Sequence, residues 1–123
     1  MLVYRLEDDK GKGIYDQVFW AAQRSPDIAL FEMDDRHPGP HTTFGDWWQK
    51  KIVKGDYSDY SFGFDSMEQL QKWFHNKTFN RAMVKLGARL VVYKVHGRYV
   101  RRGEEQTVFK KSMAEVVETL YKF

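Results

Sequence analysis

The chain has 123 residues, of which 42% are hydrophobic and 16% aromatic, and it contains no cysteine. This composition predicts one domain, residues 1–123, and excludes a disordered chain, disulfide bonds, thiolate metal sites and a cysteine nucleophile. The net charge of +3 is small for a protein that binds duplex nucleic acid. Since no apolar run has the length of a transmembrane helix, we expect a cytoplasmic protein without a membrane partner.

The first predicted element is a short strand, Val3–Leu6, with Arg5 pointing outward. A turn containing Gly11 and Gly13 follows, and Tyr15 comes directly after it. Glycine lets backbone approach a ligand closely, and a guanidinium pairs with phosphate through two hydrogen bonds. The segment therefore indicates binding of a phosphate-bearing ligand. The alternative is an edge strand with a solvated arginine and a hairpin turn.

Residues 34–43 contain two prolines and a glycine, which predict a loop. His37 and His41 lie in this loop, but no third ligand is indicated, so we predict no metal site. Thr43 precedes a predicted helix over residues 44–52, in which Gly45 is unfavourable. Residues 57–64 alternate aromatic with small or polar side chains, which predicts a strand.

The second half of the chain carries clearer signals. A helix is predicted over residues 66–74, where Asp65 or Ser66 with Glu68 or Gln69 matches a capping box, and another over residues 78–86. Strands are predicted over residues 88–95, 98–101 and 106–109, with the second of these strands pairing back on the first. Ser112 and Glu115 match a capping box, and apolar residues follow at helical spacing, so we predict a terminal helix over residues 113–121. The pattern indicates an α+β fold, with helices packed on a small mixed or antiparallel sheet.

Two further groups of residues are candidates for chemistry. The aromatic residues Trp47, Trp48, Tyr57, Tyr60 and Phe62 lie near Lys50, Lys51 and Lys54, which is the composition of a single-strand binding platform. We interpret these aromatics mainly as core, because a small domain must bury most of its rings. A metal-dependent nuclease is a further alternative, since carboxylates can hold the metal ions of such a site. The acidic residues that could form it are Glu7, Asp8, Asp9, Asp34, Asp35 and Asp59.

Three segments of the chain carry a likeness to a known fold: Tyr4-Arg5, then Tyr60-Ser61-Phe62-Gly63-Phe64 before the helix over residues 66–74, and finally Glu104-Glu105-Gln106-Thr107-Val108-Phe109. Together they resemble the ADP-ribosyltransferase-like fold. Residues 62–109 are also similar to a recurrent type of small phage protein. That likeness rests on Phe-Gly-Phe, on Gln-Leu-x-x-Trp-Phe in a helix, on Val-Tyr-x-Val in a strand, and on Gln-x-Val-Phe.

The resemblance implies NAD or a related nucleotide as the cofactor, and transfer of ADP-ribose to a host macromolecule as the activity. It assigns Arg5 to the pyrophosphate, Gly11 and Gly13 to close backbone approach, Tyr15 and Tyr60 to the nicotinamide, Ser61 to the ribose, and Glu104 or Gln106 to the 2′-hydroxyl. These assignments require Arg5, Ser61 and Gln106 to meet in one cleft.

One departure from that family pattern concerns Gln106, which stands where a catalytic acid is expected. A glutamine carries no negative charge to stabilise an oxocarbenium-like transition state. Either Glu104 or Glu105 performs that role, or the protein binds the nucleotide without transferring ADP-ribose. The second hypothesis is therefore a non-enzymatic phage protein that binds a host protein or nucleic acid through an aromatic and basic surface.

Overall fold

The structure is a computed structural model that describes residues 1–14, 40–55 and 57–123, without the side chains of residues 40–43 and 57. The predictions on Tyr15, Asp34, Asp35 and His37 therefore lie outside the described residues. The described ranges form strand β1 (Leu2–Glu7), helix α1 (Pro40–Lys54), strand β2 (Tyr60–Gly63), helices α2 (Met67–Trp73) and α3 (Lys77–Lys85), and strands β3 (Arg89–Val95), β4 (Val100–Arg102), β5 (Thr107–Lys110) and β6 (Ala114–Leu120).

The strands form two three-stranded antiparallel sheets, ordered β1-β3-β6 and β2-β5-β4. Tyr4 and Phe64 join the two sheets, because each donates its backbone N–H to the carbonyl of the other, at 2.8 and 2.7 Å. Strand β1 therefore contacts both sheets. The α+β prediction is confirmed, in the form of two small antiparallel sheets with helices.

One apolar cluster is shared by the two sheets. It consists of Val3, Val91, Tyr93 and Val95 from the first sheet and Phe109 from the second. A Cβ atom at Gly63 would lie 2.7 Å from Val3 Cγ1 and 2.9 Å from the Tyr4 carbonyl oxygen. Glycine at this position therefore lets β2 pass close to β1 at the point where the sheets meet.

Helices α2 and α3 each begin with a side-chain cap. Ser66 accepts a hydrogen bond from the Gln69 backbone N–H, and Asn76 accepts one from that of Phe79. Their apolar residues pack against the first sheet and against Phe64, which directly follows β2. The cluster includes Leu6, Phe64, Leu70, Trp73, Phe74, Phe79, Met83 and Leu90. Both predicted helices and the predicted strand over residues 88–95 are confirmed within one or two residues.

Helix α1 begins earlier than predicted. Pro40 is its first residue, inside the segment expected to be a loop, because proline fits the first turn of a helix, where its missing N–H is not needed. Gly45 has φ 53° and interrupts the helical backbone, as its unfavourable helix propensity suggested. Phe44 and Trp48 are buried against Val108 of β5, so this helix covers the second sheet.

The predicted terminal helix is wrong, because residues 114–120 form β6 and pair with β3. Ser112 lies in a short 3₁₀ turn, Lys111–Met113, and not at a helix N-cap. The apolar residues match a helical period, but Val116, Val117 and Thr119 are β-branched and favour a strand. Pairing with the buried strand β3 decides between the two. The predicted partner of residues 98–101 is also wrong, since β4 pairs with β5 and not with β3.

Candidate functional site

The Arg5 side chain points into the protein, so the prediction that it points outward is wrong. Its Nε lies 3.1 Å from Glu7 Oε1, its Nη1 donates to the Phe62 carbonyl at 2.7 Å, and only 12% of the side chain is exposed. The reason is the period of two along a strand, which places Arg5 and Glu7 on the same face of β1. The positive charge of Arg5 is thus already paired with a carboxylate.

Glu7 is the centre of a buried ion cluster, which we define as Arg5, Glu7, Tyr93 and Lys111. The Glu7 side chain is 6% exposed, and its Oε1 lies 3.0 Å from Lys111 Nζ and also accepts a hydrogen bond from the Tyr93 hydroxyl. Lys111 also donates to the Gly11 carbonyl at 2.7 Å. The cluster therefore ties β1, β3 and the start of the glycine turn to the segment after β5.

The glycine turn is held by the chain's own groups. Asp8 Oδ1 accepts hydrogen bonds from the backbone N–H groups of Lys10 at 2.8 Å and Lys12 at 2.9 Å, as in an Asx turn. Gly11 has φ 78°, which favours glycine. A Cβ at Gly13 would lie 3.0 Å from Arg5 Nη2. Both glycines are explained by the turn and by its packing on Arg5.

Tyr93 has an altered acidity within the buried ion cluster. Burial, and then its hydrogen bond to Glu7, raises the pKa of the Tyr93 hydroxyl well above its ordinary value. The fold therefore stabilises the neutral phenol, whereas the unfolded chain ionises it at a pKa of about 10.

We expect this difference to appear as a loss of stability in alkali. Because the pKa is raised in the fold, the contribution of Tyr93 is fully present below pH about 10 and decreases as the pH rises above it. The Tyr93→Phe variant has no phenol and should lose less stability over the same range. Denaturant unfolding of both proteins at neutral and alkaline pH measures this, and equal alkaline losses would contradict it.

The other predicted site residues lie on β2 and in the turn before β5. Ser61 is half-buried on β2, next to Phe62, whose carbonyl binds Arg5. Glu104 is exposed and Gln106 is buried, and both precede β5, whereas Lys111 follows its end. The four residues of β5, about 13 Å of strand, therefore separate this turn from Lys111, which belongs to the buried ion cluster around Arg5. The NAD pocket stays a prediction of the resemblance.

The turn that carries Glu104 is held by Gln69, a residue that the sequence assigned only to a helix cap. Gln69 Nε2 donates to the carbonyls of Gly103 at 2.9 Å and Glu104 at 3.1 Å. Its Oε1 accepts from the Asp65 backbone N–H at 2.9 Å and from the Thr107 hydroxyl at 3.2 Å. No local sequence signal indicates this role, because Gly103, Glu104 and Thr107 are more than thirty residues away from Gln69 in the sequence.

A second candidate site is a surface where cations lie over aromatic rings. We call it the cation–aromatic surface and define it as Trp47, Lys51, Tyr60, Arg101 and Lys110. The Trp47 and Tyr60 rings meet edge to face at 5.2 Å, and Lys51 Nζ lies 5.5 Å from each ring centroid. Arg101 Cζ lies 5.2 Å from the centroid of Trp47, and Lys110 Nζ lies 5.6 Å from that of Tyr60.

This surface is assembled from four elements. Trp47 and Lys51 are four residues apart on α1, and Tyr60 of β2 is in register with Lys110 of β5. Arg101 comes from β4 and faces Val108, which is fully buried beneath α1. The five side chains therefore stand on secondary structure with a packed core below them.

The predicted stacking residues divide between this surface and the core. Trp47 and Tyr60 remain partly exposed, whereas Trp48 is buried against Phe62 with ring centroids 5.8 Å apart. Arg101 and Lys110 were not included in the predicted stacking group. The pairing of β4 with β5 brings Arg101 to Trp47, and the pairing of β2 with β5 brings Lys110 to Tyr60. The second pairing has no local signal, because its strands are far apart in the sequence.

A family model described as the bacteriophage T4 Y00F protein matches residues 1–122. The chain belongs to the bacteriophage T4 Y00F protein family. This supports the resemblance to a phage protein and does not bear on ADP-ribosyl transfer. No curated protein and no solved structure gives a significant match.

Two negative findings apply to the described part of this family member. Residues 1–14, 40–55 and 57–123 contain no group of three histidine, cysteine, aspartate or glutamate side chains placed to hold a metal ion. Glu7, one of the acids of the nuclease alternative, is paired with Arg5 and Lys111. In the same ranges no helix is both long and apolar enough to span a membrane.

Proposed function

We propose that this phage-family protein is a non-enzymatic interaction protein that binds single-stranded nucleic acid on the cation–aromatic surface. The observation that supports the proposal is the placement of three cations over two partly exposed aromatic rings, on one face built from α1 and the second sheet. Single-strand binding proteins combine positive charge for the backbone with flat groups on which bases stack.

The chemistry of each group fits a short run of nucleotides. Arg101 is exposed and lies over Trp47, so a base can stack on the outer face of its guanidinium. Lys110 and Lys51 are placed to attract the adjoining phosphates. Lys50 and Lys54 are exposed on the same helix and extend the positive charge.

The charge of the whole chain favours a single strand over a duplex. With a net charge of +3 and one compact group of cations, the protein can neutralise only a few phosphates. Duplex-binding domains usually carry a longer basic stripe, with a helix or strand ribbon that enters a groove. A flexible single strand can instead adapt its backbone and bases to a small surface.

NAD binding and ADP-ribosyl transfer are the competing proposal from the resemblance. That proposal needs the Arg5 guanidinium for the pyrophosphate, but Arg5 is paired with Glu7 and with the Phe62 carbonyl. A nucleotide would therefore have to displace buried contacts. The cation–aromatic surface requires no such displacement at Arg101.

The test is fluorescence anisotropy with a labelled single-stranded oligonucleotide, measured over a series of salt concentrations. We expect the double substitution Arg101→Gln and Lys110→Gln to weaken binding about tenfold or more. If both cations contact phosphates, the slope of log K against log salt should decrease by about 1.4, or about 0.7 per contact.

The matched control removes the same charge from another surface, with Arg81→Gln and Lys85→Gln, both exposed on α3. Equal losses in the two double variants would contradict a defined site, and so would the absence of binding by the unaltered protein. A thermal shift with NAD that persists in the Arg101 and Lys110 variant would favour the competing proposal.

A further inference from the structure

A second exposed cation lies over an aromatic ring at the turn that connects β3 with β4. Arg98 Cζ lies 5.3 Å from the centroid of the Tyr99 ring, and the His96 ring meets that ring nearly edge to face at 6.4 Å. His96 and Arg98 are exposed, and Tyr99 is half-buried. We call these three residues the turn group. A guanidinium over a flat ring at the surface repeats the arrangement of Arg101 over Trp47.

The turn group has a fixed backbone. Gly97–Tyr99 form one 3₁₀ turn, in which the Tyr99 N–H donates to the His96 carbonyl at 2.9 Å. The His96 Nδ1 atom accepts a hydrogen bond from the Arg98 backbone N–H at 3.2 Å. Tyr99 also packs against the apolar cluster that the two sheets share. The ring beneath Arg98 is therefore anchored in the fold, while Arg98 itself is exposed to solvent.

Strand pairing places the turn group beside the cation–aromatic surface. Val100, the first residue of β4, is in register with Phe109 of β5, so the chain that precedes Val100 runs past Lys110. Neighbouring strands lie about 5 Å apart. Three residues of fully extended chain span at most about 11 Å, which limits the distance between the Cα atoms of Arg98 and Arg101. The two arginines are therefore within reach of neighbouring parts of one bound strand.

We propose that the turn group is a second stacking position for the single strand that the cation–aromatic surface binds. The inference rests on the proposed function and names the class of its ligand. This class is an oligonucleotide with bases at both positions, and not a single nucleotide. One base would stack on Arg101 and another on Arg98. Lys110 lies on the neighbouring strand and would attract the phosphates that link the two bases.

The charge of this part of the chain suits a polyanion. Residues 69–103 contain no aspartate or glutamate, and both arginines lie in this range. Among the residues that the structure describes, no carboxylate forms an ion pair with Arg98 or Arg101. Neither guanidinium therefore has to give up a salt bridge in order to stack on a base.

The test is a series of single-stranded oligothymidylates of increasing length, with affinity measured by competition in fluorescence anisotropy. For the unaltered protein we expect the affinity to rise with length and to level off once both positions are filled. The Arg98→Lys variant keeps the positive charge but has no planar group on which a base can stack. Its loss of affinity should grow with length and reach at least about fivefold for the longest oligonucleotides.

The matched control is Arg102→Lys, which makes the same change at the exposed arginine that pairs with Asp65. Its affinity should equal that of the unaltered protein at every length. Equal losses in the two lysine variants would overturn the inference. Unchanged affinity of Arg98→Lys, when the Arg101 and Lys110 double variant has lost binding, would overturn this inference alone. Absence of binding by the unaltered protein would overturn it together with the proposed function.

A second measurement locates the bases directly. An oligonucleotide that carries 5-bromouracil crosslinks under ultraviolet light to the aromatic side chains that contact its bases. Mass spectrometry should find crosslinks at His96 or Tyr99 as well as at Trp47. Tyr121 is 64% exposed and follows β6 of the first sheet, so it is the control and should not crosslink. Crosslinks at Trp47 without any in the turn group, or equal crosslinking of Tyr121, would contradict a second stacking position.

Discussion

Substitution of Glu7 by Gln should lower the free energy of unfolding by about 3–5 kcal/mol, the usual result when one partner is removed from a buried ion pair. Glu7 is 6% exposed and pairs with Arg5 and Lys111. Glutamine keeps the size of the side chain but not its charge. Two cations would then be held in the cluster without a carboxylate. Chemical denaturation monitored by tryptophan fluorescence measures the loss.

Glu105→Gln is the matched control, because it makes the same chemical change at an exposed position. Its effect should be within about 0.5 kcal/mol, as for most surface substitutions. The double variant Glu7→Gln with Lys111→Met should recover part of the loss, since one uncompensated charge is removed. If Glu7→Gln is no more destabilising than Glu105→Gln, the buried ion cluster does not stabilise the fold.

Substitution of Gln69 by Leu should cost about 2–4 kcal/mol, because each polar group left unsatisfied in a buried place costs about 1–3 kcal/mol. The change removes the hydrogen bonds to the carbonyls of Gly103 and Glu104, to the Asp65 N–H and to the Thr107 hydroxyl. Leucine is a good helix former, so α2 itself should persist. The turn before β5 should become more mobile.

The control for this substitution is Gln71→Leu, an exposed position on the same helix. It should change stability by about 0.5 kcal/mol or less. Amide hydrogen exchange should increase at residues 103–106 in the Gln69 variant and not in the Gln71 variant. Similar stability and exchange in the two variants would mean that Gln69 does not hold the turn.

Local signals predicted the elements that have a physical marker in the chain. Ser66 caps α2 and the β-branched run of β3 forms a buried strand, as the sequence indicated. A helix cap or a β-branched run acts on residues three or four positions away. Its effect therefore depends little on how the rest of the chain folds. The helix expected over residues 113–121 had a marker as well, but β3 supplied a backbone partner that no local pattern reveals.

The candidate sites were predictable in residue type and less so in position. Trp47, Tyr60 and Lys51 were recognised as a possible stacking group, and they do lie together. Arg101 joins them through the pairing of β4 with β5, and Lys110 joins them through the pairing of β5 with β2, whose strands are far apart in the sequence. Arg5 was recognised as chemically notable, but its inward direction depends on Glu7, Phe62 and Lys111 meeting from distant parts of the chain.

The amino-acid sequence by itself determined the absence of thiol chemistry and the positions of helices α2 and α3 and of the buried central strand β3. These follow from composition and from contacts between near neighbours in the chain. The tertiary structure decided the strand identity of β6, the burial of the Arg5 charge and the assembly of the cation–aromatic surface. Each of these depends on backbone pairing or burial between residues far apart in the sequence. The free energy of such pairing and burial is larger than the intrinsic preference of a short segment for helix or strand.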